Sequence, residues 1–241
     1  MHGATRTYLT ICFAVLVSAC GGGNSPAGPM QPPSAVDFNM QAGMAEMVTN
    51  GLSSNVTLSG TTTVNGVSTA FTGSGTFTRP PALSATFNGI AASAQTTTVA
   101  GSIMVAGQTT PYSTSVTDYF ASSDDAFLGE MSTSEYDVAQ APISFPTSLM
   151  GGGSGNLGTL SRYTDSSMSV SLGTAQVSYS TMAPVDFGSP IGIVVTTKIY
   201  DTQNTLIETD VTNYTMTSSN VISLSGASGQ NQSGMVTITV Q

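Results

Sequence analysis

The chain holds almost none of the side chains on which enzymes most often rely. Its one histidine is His2, its two cysteines are Cys12 and Cys20, and it has no tryptophan. All three lie within the first 20 residues. What remains offers no imidazole, no free thiol and no disulfide. That excludes a Ser-His-Asp triad and a Cys-His dyad. It also excludes zinc held by histidine or cysteine, and the usual haem and iron–sulfur ligations. Without tryptophan the strongest aromatic platform for sugars is missing. Charge is scarce as well: Asp, Glu, Lys and Arg make up 7% of the chain, against about a quarter in a typical domain. The four basic residues are too few to neutralise a run of phosphates, so nucleic acid is not an expected partner.

The N-terminus carries a recognisable layout. Arg6 gives a positive start, the stretch from Tyr8 to Val17 is mostly apolar, and Ser18 and Ala19 are small. That is the order of a secretory signal peptide, and the apolar run is too short to span a bilayer. Its end, Val17-Ser18-Ala19-Cys20, resembles the lipobox of bacterial lipoproteins. The resemblance implies cleavage before Cys20, a thioether-linked diacylglycerol on its sulfur and a further acyl chain, such as palmitate, on its amine. One fatty chain binds a membrane only marginally, at about 0.8 kcal/mol per buried CH₂, so two or three chains on one residue anchor firmly. In that family an Asp after the cysteine commonly retains the protein in the inner membrane. Gly21 stands there instead, which implies the outer membrane of a Gram-negative envelope. The organisation expected is a leader over 1–19, the acylated cysteine and a flexible tether over 20–34, and a single β-rich domain over 35–241. Pro32-Pro33 stiffens the tether.

Hydrophobic residues make up 39% of the chain, enough for a core, and Ser, Thr, Asn and Gln take the place of charges on the water-facing side. Simple disorder usually pairs low hydrophobicity with high net charge. Val36, Met40, Met44, Met47 and Val48 recur at three- and four-residue spacing. They predict one amphipathic helix from a Ser34 cap to a Gly51 cap, its methionine stripe packing on a sheet. Beyond Gly51 the period becomes two: Val56, Leu58, Gly60, Thr62 and Val64 alternate with Thr57, Ser59, Thr61 and Thr63. Turn signals at Asn65-Gly66, Asn88-Gly89 and Ala106-Gly107 link strands into hairpins. Further strands are expected around Ser132 to Val138, Leu157 to Thr164, Met168 through Tyr179, Ile191 to Ile199, Leu206 to Met216, and onward to Val240. The fold expected is all-β: an antiparallel meander of about ten to twelve strands with one short N-terminal helix. So many strands must curl into a barrel, a half-barrel or a sandwich. A membrane-spanning barrel fits less well, because such barrels usually end in an aromatic residue and this chain ends in Val240-Gln241.

Candidate sites are few. Asp118, Asp124, Asp125, Glu130, Glu135 and Asp137 form an acidic stretch, read as a solvated loop. Asp124, Asp125 and Glu130 are its weak candidates for calcium, which wants six to eight oxygens. Asp165 reads as a turn residue with Arg162 pairing locally, and Lys198 as a surface lysine on a strand. Val116-Thr117-Asp118-Tyr119 and Val211-Thr212-Asn213-Tyr214 suggest a weak internal duplication. The turn motifs Val64-Asn65-Gly66, Thr86-Phe87-Asn88-Gly89, Arg162-Tyr163-Thr164-Asp165-Ser166-Ser167 and Tyr200-Asp201 resemble those of uncharacterised β-rich outer-membrane lipoproteins of proteobacteria. The resemblance implies a fold and a location, and carries no activity. The expected protein is therefore a lipid-anchored envelope lipoprotein with no cofactor and no enzymatic role. Its β-domain is structural, or binds an envelope protein or a hydrophobic ligand between helix and sheet. The alternative is a carboxylate-dependent glycan hydrolase, which needs no histidine.

Overall fold

The computed structural model describes residues 38–64, 67–184, 186, 188–231 and 234–241. The leader, Cys20, the tether, Ser34, Val36 and the Asn65-Gly66 turn lie outside them. Among the described residues there is one helix, α1 (Met40–Asn50). The strands are β1 (Leu52–Val64), β2 (Val67–Arg79), β3 (Leu83–Phe87), β4 (Ile90–Val105), β5 (Gln108–Ala121), β6 (Phe127–Met131) and β7 (Tyr136–Ile143). They continue with β8 (Ser154–Tyr163), β9 (Ser171–Met182), β10 (Ile191–Tyr200), β11 (Leu206–Met216), β12 (Ile222–Asn231) and β13 (Gly234–Val240).

From β4 to β13 each strand pairs antiparallel with the next, and β13 returns to pair with β1. β1 pairs with β2, and β2 passes over β3 to pair with the second half of β4, Phe71 opposite Val105 and Thr78 opposite Thr98. Twelve strands thereby close a barrel, and of the three shapes open to the sequence this is the one that forms. β3 is a thirteenth strand outside the ring, paired only with the start of β4. Its turn has Asn88 at φ 49° and Gly89 at φ 81°, the paired positive angles of a type I′ hairpin. It is held to the outer wall by Phe87, which stacks on Tyr119 at 4.5 Å and on Tyr136 at 5.1 Å. Where β2 meets β4, Gly75 faces Gly101, and a Cβ on Gly101 would lie 2.1 Å from the Ser74 carbonyl oxygen. The two backbones approach too closely at that seam for any side chain.

The alternation read in the sequence sets which face is buried. Val56 and Leu58 of β1, Val99 of β4, Ile193 of β10 and Ile238 of β13 point inward and are buried, while Ser53, Asn55, Ser59 and Thr63 of β1 are exposed. The large exposed apolar residues of the described chain, Val67, Met104, Leu206 and Met235 among them, sit near strand ends or in connections.

Eight strands make a barrel that side chains just fill; twelve leave a wider lumen that needs contents. The helix supplies part of them. Met40, Met44, Met47 and Val48 are buried against Phe120, Ile191, Ile193, Met216 and Ile222, at the end of the barrel where the β11–β12 turn lies. The methionine stripe is thus core packing, as expected. The helix start differs from expectation. Asn39, not Ser34, is the N-cap: its Oδ1 accepts the Ala42 N–H at 2.9 Å, and its own N–H donates to Asn220 Oδ1 at 2.9 Å. Phe38, just before it, bridges to Leu149. Contacts to distant chain fix where the helix begins. Gly51 closes the other end, its N–H donating to the Met47 carbonyl.

Three further expectations change. The acidic segment forms two strands, β6 and β7, in place of a loop followed by one strand at Ser132–Val138. Met168 and Val170 lie in the exposed β8–β9 connection, with Met168 at φ 55°, and the strand begins only at Ser171. The suggested duplication does not hold in space. Val116 and Asp118 of β5 line the interior, whereas in β11 it is Thr212 and Tyr214 that do so, so the matched residues face opposite ways.

Candidate ligand site inside the barrel

One row across the wall carries the polar chemistry. Gln95 of β4 stands opposite Asp118 of β5, Asp118 opposite Glu130 of β6, Glu130 opposite Asp137 of β7, and Asp137 opposite Arg162 of β8. Directly opposed residues share a face of the sheet, and this face is the inside. From β11, Glu208 and Asp210 add two more carboxyls to the interior.

Both arginines among the described residues are paired. Arg79 donates from Nε to Gln95 Oε1 at 2.6 Å and from one terminal nitrogen to Thr97 Oγ1 at 3.1 Å. Its other terminal nitrogen pairs with Asp118 Oδ2 at 2.7 Å, and the guanidinium lies 5.9 Å from the centre of the Phe120 ring. Gln95 Nε2 in turn donates to the Met47 carbonyl at 2.8 Å and the Pro80 carbonyl at 3.0 Å. This chain of bonds ties the last turn of α1 to the wall. Arg162 pairs with Asp137 at 3.1 Å and with Glu135 at 2.5 Å.

Three carboxyls remain without a cation. Among the described residues no hydrogen bond or ion pair reaches Glu130. Burial pushes its acidity well above the ordinary range, and Asp118, Asp137 and Glu135 add like-charge repulsion that Arg162 only partly offsets. Asp210 is fully buried, and neither carboxyl oxygen accepts a hydrogen bond from an ordinary donor. Burial, then Glu208 and Glu130, raise it well above its usual value. Glu208 is raised by burial and lies beside Asp210, so the two carboxyls bond to each other only when one keeps its proton. Asp118 too is raised by burial, against the opposing pull of Arg79. Asp137 is pushed up to about 7 by burial, although Arg162 pulls it down.

Beside this row lies a cavity of about 190 Å³ beneath the helix. Met40 and Met44 of α1 form part of its surround, and Phe77, Phe120, Val177, Val195 and Leu224 line it from the wall. Arg79, Asp118 and Glu130 are its charged lining. Glu130 is half-buried and lines this cavity. One probe sphere of about 10–15 Å³ holds a water, and an apolar cavity of about 150 Å³ takes benzene. The barrel therefore has room for a small organic molecule with an apolar body.

No family model matches the chain, and no curated protein does. A crystal structure of a DUF1329 family protein from Desulfovibrio piger is similar over 85% of this chain and 92% of that one, at 8% identity and a TM-score of 0.25. That likeness is too loose to inform fold or activity.

The candidates named from sequence separate in space. Asp124 and Asp125 stay on the β5–β6 turn, Asp124 exposed and Asp125 partly so, with Asp124 Oδ1 accepting the Ala126 N–H, while Glu130 is inside. No group of three or more acidic, histidine or cysteine side chains among the described residues is placed to hold a metal. The solvated-loop reading is corrected for Asp118 and Asp137, both buried inward-facing wall residues. Arg162 is corrected as well: it pairs across β7–β8, not locally, although Asp165 does form the expected turn by accepting the Ser167 N–H at 2.8 Å. Lys198 is exposed, as expected. Sequence reasoning passed over Arg79, Gln95, Glu208 and Asp210. Charged residues at inward phase on otherwise apolar strands are the signal that would have found them.

Proposed function

We propose that this chain is an envelope lipoprotein whose barrel binds a small, mainly apolar molecule inside its lumen. The observation that carries the binding role is the cavity beneath α1, apolar over most of its lining with a few charged groups at one side. Ligand pockets generally combine an apolar lining with a few placed polar groups. The anchoring role rests on the lipobox-like sequence ending at Cys20, and the hydroxyl-rich outer wall is consistent with a barrel that stands in water.

The hydrolase reading draws on one observation: Asp118 and Glu130 are opposed across β5–β6 and both line the cavity. It has less support. Asp118 is held by Arg79, leaving one free carboxyl where two are needed, and aliphatic and aromatic side chains predominate where a sugar would lie.

Two measurements test the proposal. Hexanol should raise the melting temperature of the wild-type chain and leave Val195→Phe unmoved, since that ring fills the space. Equal shifts in both would remove the cavity from the account. For the anchor, Cys20→Ser should move the protein from the membrane to the soluble fraction of its host. A variant as firmly membrane-bound as wild type would contradict it.

A further inference from the structure

The charge balance of the lumen specifies the polar end of the ligand, an inference that rests on the binding role proposed above. Six carboxyls, Asp118, Glu130, Glu135, Asp137, Glu208 and Asp210, face two guanidiniums. Arg79 gives its nitrogens to Gln95, Thr97 and Asp118, and Arg162 takes Asp137 and Glu135. An incoming carboxylate or phosphate would find both guanidiniums already paired and more carboxyls than cations. A positive group would meet that surplus of carboxyls. Glu130 lines the cavity, keeps part of its surface accessible, and among the described residues has no hydrogen-bond or ion-pair partner. Asp210, outside the cavity lining, stands near it with both oxygens buried and only the Glu208 carboxyl as a neighbour to share a proton with. Buried polar atoms in folded proteins are nearly always satisfied, and a buried charge without a partner is among the costliest features a fold can carry.

We propose that the barrel's ligand is a small apolar amine, bound as its ammonium ion, and that the Glu130 carboxylate receives it. The apolar body lies against Phe77, Phe120 and Val195, and the ammonium replaces the proton that Glu130 otherwise keeps. The balance is simple: the carboxyl O–H bond breaks, its proton leaves to solvent, and the ammonium enters to pair with the carboxylate left behind. The charged groups around this exchange are Arg79 from β2, which lines the same cavity and is paired with Asp118 from β5, then Glu135 before β7, Asp137 of β7, Arg162 from β8, and Asp210 from β11. The acids outnumber the two guanidiniums, so the balance favours a proton or another cation beside Glu130.

The test is calorimetric titration of the purified full chain with hexylamine, hexanol and hexanoate, each in two buffers of different ionisation enthalpy. Hexylamine should bind at least tenfold more tightly than hexanoate and release protons on binding. Its affinity should rise between about pH 5 and pH 8, while that of hexanol stays flat. E130Q should lose at least tenfold in hexylamine affinity and abolish the proton release, and its circular-dichroism spectrum and melting temperature report whether it folds. Should E130Q fail to fold, the ranking of the three ligands and the proton release in wild type decide by themselves. Hexanoate binding as tightly as hexylamine, or E130Q binding hexylamine as wild type does, overturns the amine assignment and leaves the cavity reading standing. Binding of none of the three overturns both.

Discussion

At the scale of the residue, the interior acids dominate. Arg79 and Arg162 are buried and well bonded, and such pairs owe their geometry to hydrogen bonds that offset a large desolvation cost. The surplus carboxyls have a consequence for stability. Asp137 is raised to about 7, and Glu130, Asp210, Glu208 and Asp118 are raised as well, burial leading in each case. Between the unfolded carboxyl range near pH 4 and these raised values, the folded chain holds more protons than the unfolded one. Stability must then fall as pH rises through that window. The urea midpoint is predicted to be highest near pH 5 and to drop steadily toward pH 8; a midpoint that climbs over that range would contradict the burial of these acids. None of this was legible locally. Asp118 sits in the sequence among Thr117, Tyr119 and a nearby acidic run, and its partner Arg79 belongs to another hairpin. A strand's partners are set by register, and register is not written beside the residue that depends on it.

At the scale of the element, the helix shows both what sequence patterning gives and where it stops. The three- and four-residue spacing of Met40, Met44, Met47 and Val48 named the buried face correctly. It did not give the start, because Asn220 and Leu149 fix Asn39 and Phe38 from far along the chain. Nor did it show how close the helix lies to β12. A Cβ on Gly43 would come within 2.7 Å of the Ile222 side chain and 2.8 Å of the Asn220 carbonyl oxygen. Alanine is favoured over glycine in a helix by about 1 kcal/mol, but here the backbone at Asn220 cannot give way cheaply. Gly43→Ala is predicted to lower the melting temperature; a rise of several degrees would show that the helix is not seated as described. The strands were more legible. Period two placed Val56, Leu58, Ile191 and Ile193 correctly, and the Asn88-Gly89 and Ala106-Gly107 turns formed where they were read. The break came at Phe127–Ile143, where register shifts between β5, β6 and β7 interrupt the alternation and acidic residues take inward positions.

At the scale of the whole molecule, strand number decides the rest. Twelve strands enclose more space than their own inward side chains occupy. The helix, a charged row and a void share what is left. A meander of hairpins was legible from the turn spacing, but closure was not: it depends on β13 returning to β1 and on β2 passing β3 to reach β4. The sequence suggested a hydrophobic ligand between helix and sheet, but the cavity's walls follow from closure and were not legible there. The measurement that tests it most directly is a crystal structure of the chain under xenon pressure, since xenon enters dry apolar cavities. Xenon is expected among Phe77, Phe120, Val177, Val195 and Leu224, beneath Met40 and Met44. A lumen collapsed onto itself at that place, or one filled by side chains with no xenon site, would contradict it.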